Sequence, residues 1–392
     1  MRILFVNHVF PGIFGPLAAA LAAEPGNEVL FASIYSKRDF TLPGVRHMVL
    51  PPVRGDRGSR SGKNAHTDAG MALNVALNVG RQSLRAFLRL RESGFVPDMV
   101  LAFSGEAAAL YWEEAFPEAF RVSWNDGESA LPGHAARGSG LTRHLLQCRQ
   151  ALGSDLAVSL TAGLRSLFDL RLKGGADLPF AVDTSLFSPG AVSARELPGP
   201  ERTPDEVVIY GVGGHSLADD ALPGRMAALL DARPHCHLFL LCGSPALAEA
   251  WAEIRADMPQ RERLHLPGGL SLAAYRTLLR AARLLVIPHA GDISPALMLE
   301  TMSCGTPVLL PGDLPASSLL QAGRDILLAE GPCPEPALLA NAPLLEAAGR
   351  HARQAVLNSF DRSVVIGRQV RFLQEAWAAW RDGAACVGGH EA

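Results

Sequence analysis

The sequence predicts an α/β protein with two Rossmann-like, doubly wound domains. Three observations lead there. Short apolar runs, such as Ile3-Leu4-Phe5-Val6 and Val207-Val208-Ile209-Tyr210, alternate with Ala/Leu-rich helical stretches. That alternation builds parallel sheets covered by helices. The 392 residues exceed one ordinary core and suit two. A charged, Pro/Gly-rich segment, 190–206, reads as a linker between two such halves.

Composition narrows the function classes. Hydrophobic residues make up 48% of the chain, enough for large cores, so disorder is expected only in short segments. A net charge near −3 leaves no electrostatic footprint for nucleic acid. The six cysteines include no CxxC pair and no zinc spacing, so no metal site is expected and a reducing, cytoplasmic setting fits. The first apolar run is too short for a signal peptide, and no run is long enough to span a bilayer.

In the first half, Ile3–Val6 reads as a buried strand, Asn7–Gly15 as a loop, Leu17–Ala23 as a helix and Glu28–Ala32 as a second strand. The loop lacks GxGxxG, which argues against a dinucleotide site. Residues 53–68 form a glycine-rich stretch with Arg54, Arg57, Arg60 and Lys63, either a solvated surface loop or a loop that recruits an acidic acceptor. Residues 71–92 have helical periodicity. Asp98–Ala102 and Phe120–Trp124 are strands, the first followed by a helix to Glu114. Their ends place Glu106 and Asp126 at the sheet edge where ligands bind in such folds, although helix caps or turn residues would look the same.

In the second half, the strand 207–211 runs into Gly213, Gly214 and His215. Paired glycines there can bring backbone N–H groups close to a diphosphate, or simply make a tight turn. Residues 226–232 are helical. His237–Cys242 is a strand ending at Gly243, and Arg263–Leu266 a short strand turning at Gly268. A helix over 272–281 leads to the apolar run 282–287. Then come a loop to Ile293, an N-cap signal at Ser294-Pro295, a helix to Ser303, a stop at Gly305-Thr306-Pro307 and the strand Val308-Leu309-Leu310. The helix N-terminus is an anion site in waiting. Asp292 and Glu300 are its carboxylates, suited to neutral hydroxyls, or else to a turn and a solvated helix face. Residues 347–379 read as helical.

These residues resemble the retaining family-4 glycosyltransferases. Their donor-sugar motif is an acid, seven residues, Glu, then a stretch ending Cys-Gly-x-Pro-Val. Here it reads Asp292, seven residues, Glu300 and Thr301-Met302-Ser303-Cys304-Gly305-Thr306-Pro307-Val308, with Asp where the family has Glu. Phe180-Ala181-Val182-Asp183-Thr184-Ser185-Leu186-Phe187-Ser188-Pro189 is similar to the interdomain signature N-G-V-D-T-x-x-F-x-P. His8-Val9-Phe10-Pro11-Gly12-Ile13-Phe14 resembles the opening H-x-x-F-P-G-x-F loop, one residue out of step at His8.

The resemblance implies the GT-B fold: an acceptor domain over 1–188, a donor domain over 189–360 facing it across a cleft, and a helix over 361–392 that crosses back and ends in a frayed tail. It implies transfer from a UDP- or GDP-linked sugar to a glycan, lipid or protein hydroxyl with retention, without a cofactor or metal. Peripheral membrane contact and oligomeric state stay open. Asp292 is expected at the donor sugar, with Glu106 and Asp126 as further catalytic acids. Gly213, Gly214, Gly243, Gly268, Ile293, Ser294 and Glu300 are expected at the donor, Glu300 on its ribose. Gly12, Ile13 and Phe14 are expected on the acceptor side. The family's basic pair after the first donor-domain strand is missing: Gly213, Gly214 and His215 stand in register. That leaves His215, when protonated, and Arg225 to meet the diphosphate. A weak or inactive GT-B protein, acting as partner subunit or glycan-binding module, is the rival reading, and a nucleotide-sugar epimerase a third.

Overall fold

The computed structural model describes residues 1–36, 41–51, 69–125, 139–159, 175–192, 197, 206–243, 245–312, 319–331 and 333–383. Asp126, the basic loop 53–68, most of the 190–206 linker and the tail beyond 383 lie outside the described residues. The chain divides into two compact units: Met1–Pro179 with Val365–Ala392, and Phe180–Val364.

Among the described residues, the first unit holds seven strands: β1 (Arg2–Phe10), β2 (Glu28–Ser36), β3 (Val45–Val49), β4 (Met99–Phe103), β5 (Phe120–Asn125), β6 (Leu156–Ser159) and β7 (Gly175–Asp177). All pair in parallel, in the order β3-β2-β1-β4-β5-β6-β7. Central parallel strands are covered on both faces, which is why their sequences are unbroken apolar runs. Ile3 to Val6 and Met99 to Ala102 are all fully buried. The helices are α1 (Gly15–Ala23), α2 (Ala69–Glu92), α3 (Trp112–Ala115) and α4 (Ser139–Leu152).

Two local expectations change here. β1 does not stop at Val6 but runs to Phe10, because β2 extends beside it, pairing Val9 with Tyr35 and Phe10 with Ser36. The helix expected up to Glu114 is a 3-10 turn, Ala107–Ala109, followed by the four-residue α3.

The second unit has six parallel strands among the described residues: β8 (Glu206–Val212), β9 (Cys236–Cys242), β10 (Leu264–His265), β11 (Leu284–Val286), β12 (Val308–Leu310) and β13 (Leu327–Leu328). Their order is β10-β9-β8-β11-β12-β13. Its helices are α5 (Gly214–Leu217), α6 (Leu222–Ala232), α7 (Pro245–Ala256), α8 (Leu272–Ala281), α9 (Pro295–Ser303), α10 (Glu335–Ala340) and α11 (Ala342–Ser359).

The 180–189 segment belongs to this second unit, so the boundary falls at Pro179 and not at 188. Val182 pairs with Asp361, and the Thr184 hydroxyl donates to the Asp361 carboxylate. Arg353 Nη1 donates to the carbonyls of Phe187 (2.8 Å) and Thr184 (3.2 Å). The long C-terminal helical run breaks at Phe360-Asp361, where this pairing takes the backbone. Helix α12 (Arg362–Arg381) follows. From Val365 it counts with the first unit: Gln369 donates to the Pro179 carbonyl at 3.0 Å, and Trp380 packs on Phe120. Among the described residues no helix is long and apolar enough to cross a membrane.

In both sheets the strand order reverses beside the first strand, between β1 and β4 and between β8 and β11. Ligands bind outside the carboxyl ends of strands at such switch points. Loop 11–14 and turn 104–106 sit at the first; loops 213–216 and 288–294 sit at the second.

One tight packing contact fixes the C-terminal end of α9, away from the crevice. Gly305, at φ +84, ends α9, and a Cβ on Gly349 of α11 would lie 2.2 Å from the Gly305 carbonyl oxygen. Gly349→Ala should therefore destabilise the protein by about 1–3 kcal/mol. Gly224→Ala on α6 meets nothing within 4 Å and should stabilise by up to about 1 kcal/mol. Urea midpoints of the two variants should move in opposite directions.

Candidate functional site

At the second crevice, Asp292 organises the loop opposite. Its Oδ1 accepts from the His215 backbone N–H (3.1 Å) and faces His215 Nδ1 (3.2 Å). Its Oδ2 accepts from the Ser216 N–H (2.7 Å) and from the Ser216 hydroxyl. The Asp292 side chain is only 1% exposed. A carboxylate with both oxygens so engaged has nothing to offer a sugar, so the expectation of donor contact is corrected: Asp292 is a clamp on loop 213–216. The same clamp explains Gly213, where a Cβ would lie 2.3 Å from Asp292 Oδ1. Gly214 is different. It is exposed, and a Cβ there would meet nothing.

Ser294 caps α9, its hydroxyl accepting from the Leu297 N–H at 3.5 Å, with Pro295 in the first turn. Ile293, beside it, is 7% exposed and packs into the core with its side chain. Within α9, Glu300 Oε2 accepts from the Tyr275 hydroxyl of α8 at 2.8 Å. Burial pushes the Glu300 pKa up to about 7, and the Tyr275 bond only partly offsets it. Gly243 and Gly268 lie just beyond β9 and β10; both are exposed, with open space where a Cβ would stand.

Arg225 is not a spare cation. Its Nη2 donates at 3.1 Å to Glu335, a side chain with 0% exposure that also accepts from the Tyr210 hydroxyl at 3.1 Å. A buried carboxylate deprived of such a partner costs several kcal/mol, so Arg225 is bound to Glu335 and the expected role at a diphosphate is corrected. His215 stays in loop 213–216, its ring beside Asp292.

At the first crevice, Glu106 is the central acid. Its Oε1 accepts from the His8 backbone N–H at 3.0 Å. Gln150 braces the turn beneath it, accepting from the Gly105 N–H (2.6 Å) and donating to the Glu106 carbonyl (2.7 Å). Burial raises the Glu106 pKa to about 7; the His8 N–H and the Arg143 charge pull the other way. A cavity of about 480 Å³ opens here, with His8, Ser104, Glu106 and Arg143 among its polar lining. Gly12 is exposed at φ +49, where a Cβ would also lie 2.3 Å from Asn7 Nδ2. Ile13 is partly buried. Phe14 is corrected: its ring is 1% exposed and packs on Phe5, Phe103 and Trp124, so it serves the core.

Sequence reasoning missed Tyr275, Ser216, Gln150 and Ser104. Tyr275, Ser216 and Gln150 each act on a partner from a distant element or a loop, Ser104 lines the first-unit cavity, and none carries a local spacing signal. Among the described residues no group of three or more His, Cys, Asp or Glu side chains could hold a metal.

A family model described as "Glycosyl transferase family 4 group" matches residues 25–126. No curated protein sequence matches the chain. Among solved structures, sucrose-phosphate synthase from Thermosynechococcus elongatus is similar at a TM-score of 0.70 and 15% identity, over 97% of this chain and 100% of that one. Anabaena HepE in complex with UDP and glucose follows at 0.65 and 14%, over 96% and 100%. The catalytic domain of starch synthase IV from Arabidopsis thaliana, bound to ADP and acarbose, matches at 0.60 and 12%, over 96% and 99%. The chain has the GT-B fold of two Rossmann-like domains, and its resemblance to the family-4 glycosyltransferases stands.

Two stability predictions follow from the carboxyls. Asp292→Ala should cost at least about 1.5–3 kcal/mol, the worth of a charged hydrogen bond, read from denaturant unfolding. Glu300 has a raised folded pKa, so between its unfolded value and about 7 the folded state holds the extra proton, and stability falls as pH rises through that window. Glu300→Gln should therefore gain stability relative to the parent at pH about 8 and not at pH about 4. A difference in melting temperature that does not change with pH would refute the burial argument.

Proposed function

We propose that the protein is a retaining glycosyltransferase that uses a UDP- or GDP-linked sugar and transfers to a glycan, lipid-linked or protein hydroxyl. The observation that carries the reading is the second switch point. There the open backbone at Gly214, the capped N-terminus of α9 and the Tyr275-held Glu300 belong to one strand–loop–helix neighbourhood of a GT-B fold. The exposed Gly214 backbone and the helix dipole suit a diphosphate, and a carboxyl held at one oxygen suits a ribose hydroxyl. UDP and ADP in the similar structures support the same class of donor.

In this reading the bond between the sugar's anomeric carbon and the diphosphate oxygen breaks, its electron pair leaving with the nucleoside diphosphate. The acceptor oxygen bonds to that carbon on the same face. The acceptor's hydroxyl proton passes to the Glu106 carboxylate. With a pKa near 7, Glu106 is matched to proton transfer at neutral pH. The diphosphate charge is met by backbone N–H groups, the α9 dipole and His215, not by a fixed basic pair. The engagement of Arg225 with Glu335 favours one second reading, a GT-B protein that binds a donor without transferring it. Stabilising the charge on a leaving group usually supplies a large share of the rate, and Arg225 does not supply it.

Titration calorimetry with UDP- and GDP-sugars tests the donor site. The parent should bind one of them; Gly214→Val should fold normally, having space for its side chain, and lose that binding. Equal binding by parent and variant would reduce loop 213–216 to a turn. For the chemistry, kcat/KM should rise with pH and level off above about 7, as Glu106 ionises. Glu106→Gln should remove the rise and lower the rate by about 10²–10⁴. Proton NMR of the product should show the donor's anomeric configuration; inversion would overturn retention.

A further inference from the structure

The first-unit cavity has an unusual wall. Along α2, Ala72, Val75, Ala76 and Val79 line it at i, i+3, i+4 and i+7, one continuous helix face. Such a stripe normally packs into a core. Farther along α2 it does so: Leu84 and Phe87 pack into the first unit's core. Over its first turns the face is shared: Ala76 packs with Leu110 and Leu146 and Val79 packs on the first unit's core, while Ala72 and Val75 open onto the cavity, Val75 at 37% exposure. Ile34 and Phe103 extend the apolar wall, and two alanines on α2 leave the room.

The polar groups are few and specific. Ser104 is 2% exposed, lines the cavity, and its hydroxyl has no hydrogen-bond partner among the described residues. A buried hydroxyl left without a partner costs free energy and points to a ligand group that completes it. Glu106 stands two residues on. The volume, about 480 Å³, falls in the range of small-molecule sites.

We propose that this cavity is an acceptor subsite for a hydroxyl compound bearing an apolar group, an alkyl or aryl aglycone, and not for a free oligosaccharide. The apolar group lies along the α2 face, and a polar group of the acceptor reaches Ser104 Oγ and Glu106. A free oligosaccharide would bring hydroxyls against a wall that cannot hydrogen-bond them. The role as an acceptor subsite rests on the glycosyltransferase reading, but the binding site itself does not.

Calorimetry without donor tests it, using ethyl, butyl, hexyl and octyl β-D-glucosides below their micelle concentrations, with maltose for comparison. Affinity should rise about fourfold with each methylene until the cavity fills, and maltose should bind far more weakly than octyl glucoside. Ala72→Leu should keep the ethyl compound and end the rise at a shorter chain. Val75→Asp, at a partly exposed position, should flatten the series. Ser104→Ala should weaken every member by a similar factor. A flat series in the parent, or maltose binding as well as octyl glucoside, would overturn the proposal whatever the variants do. Transfer assays separate the two readings. A chain-length-dependent series with no transfer from any nucleotide sugar keeps this subsite and sinks the glycosyltransferase; transfer to maltose with a flat series does the reverse.

Discussion

A parallel strand must be covered on both faces, and that constraint shapes everything chemical in this molecule. Along the middles of β1, β4, β8 and β11 most side chains are buried and apolar, which leaves little room there for reactive groups. Functional side chains are pushed to the carboxyl ends, and the reversal of strand order opens a crevice there in each sheet. Gly12, Glu106, Gly213, Gly214 and Asp292 all lie in those end loops. The strands supply rigidity, and the loops supply chemistry.

Three carboxyls at these ends show how environment sorts identical chemistry. Asp292 is surrounded by donors from one loop and is consumed in holding it. Glu300 and Glu106 are less fully bonded, and burial dominates both, driving each pKa to about 7. Desolvation outweighs one Tyr hydroxyl at Glu300, and one backbone N–H plus the Arg143 charge at Glu106. Carboxyls left in this state are expensive for the fold, and such groups concentrate where a ligand uses them. The acid that looked most like a sugar contact in the sequence is the one whose hydrogen bonds are already made.

Much of the fold was legible because it is local. Buried strands write themselves as apolar runs, and α9 announces its start with Ser294-Pro295 and its stop with Gly305 and Pro307. What sequence could not show is pairing between distant elements. β1 extends to Phe10 because β2 is there to pair with it. The C-terminal helical run breaks at Asp361 because Val182 claims that backbone. Tyr275 and Glu300 are 25 residues apart, Ser216 and Asp292 76, and Arg225 and Glu335 110. No periodicity spans such distances. The role of Phe14 was misread for a related reason: a loop residue in a motif can still turn its ring into the core.

The Arg225–Glu335–Tyr210 group bears on how a donor would be held. Glu335 is wholly buried, with one oxygen shared by Arg225 and Tyr210 and the Cys333 thiol beside the carboxylate. Withdrawing Arg225 would leave that charge unpaired in low dielectric, at a cost of roughly 3–5 kcal/mol. A charged contact to an exposed phosphate returns less, about 1.5–3 kcal/mol. The cost of withdrawal exceeds the return, so Arg225 stays with Glu335 when an anion arrives. Charge at the second crevice is then met mainly by oriented backbone, about half an elementary charge at the start of α9. Backbone dipoles lie fixed before the ligand comes and need no side-chain ordering, so they suit recognition of a diphosphate. They also hold less positive charge than a basic pair of side chains would.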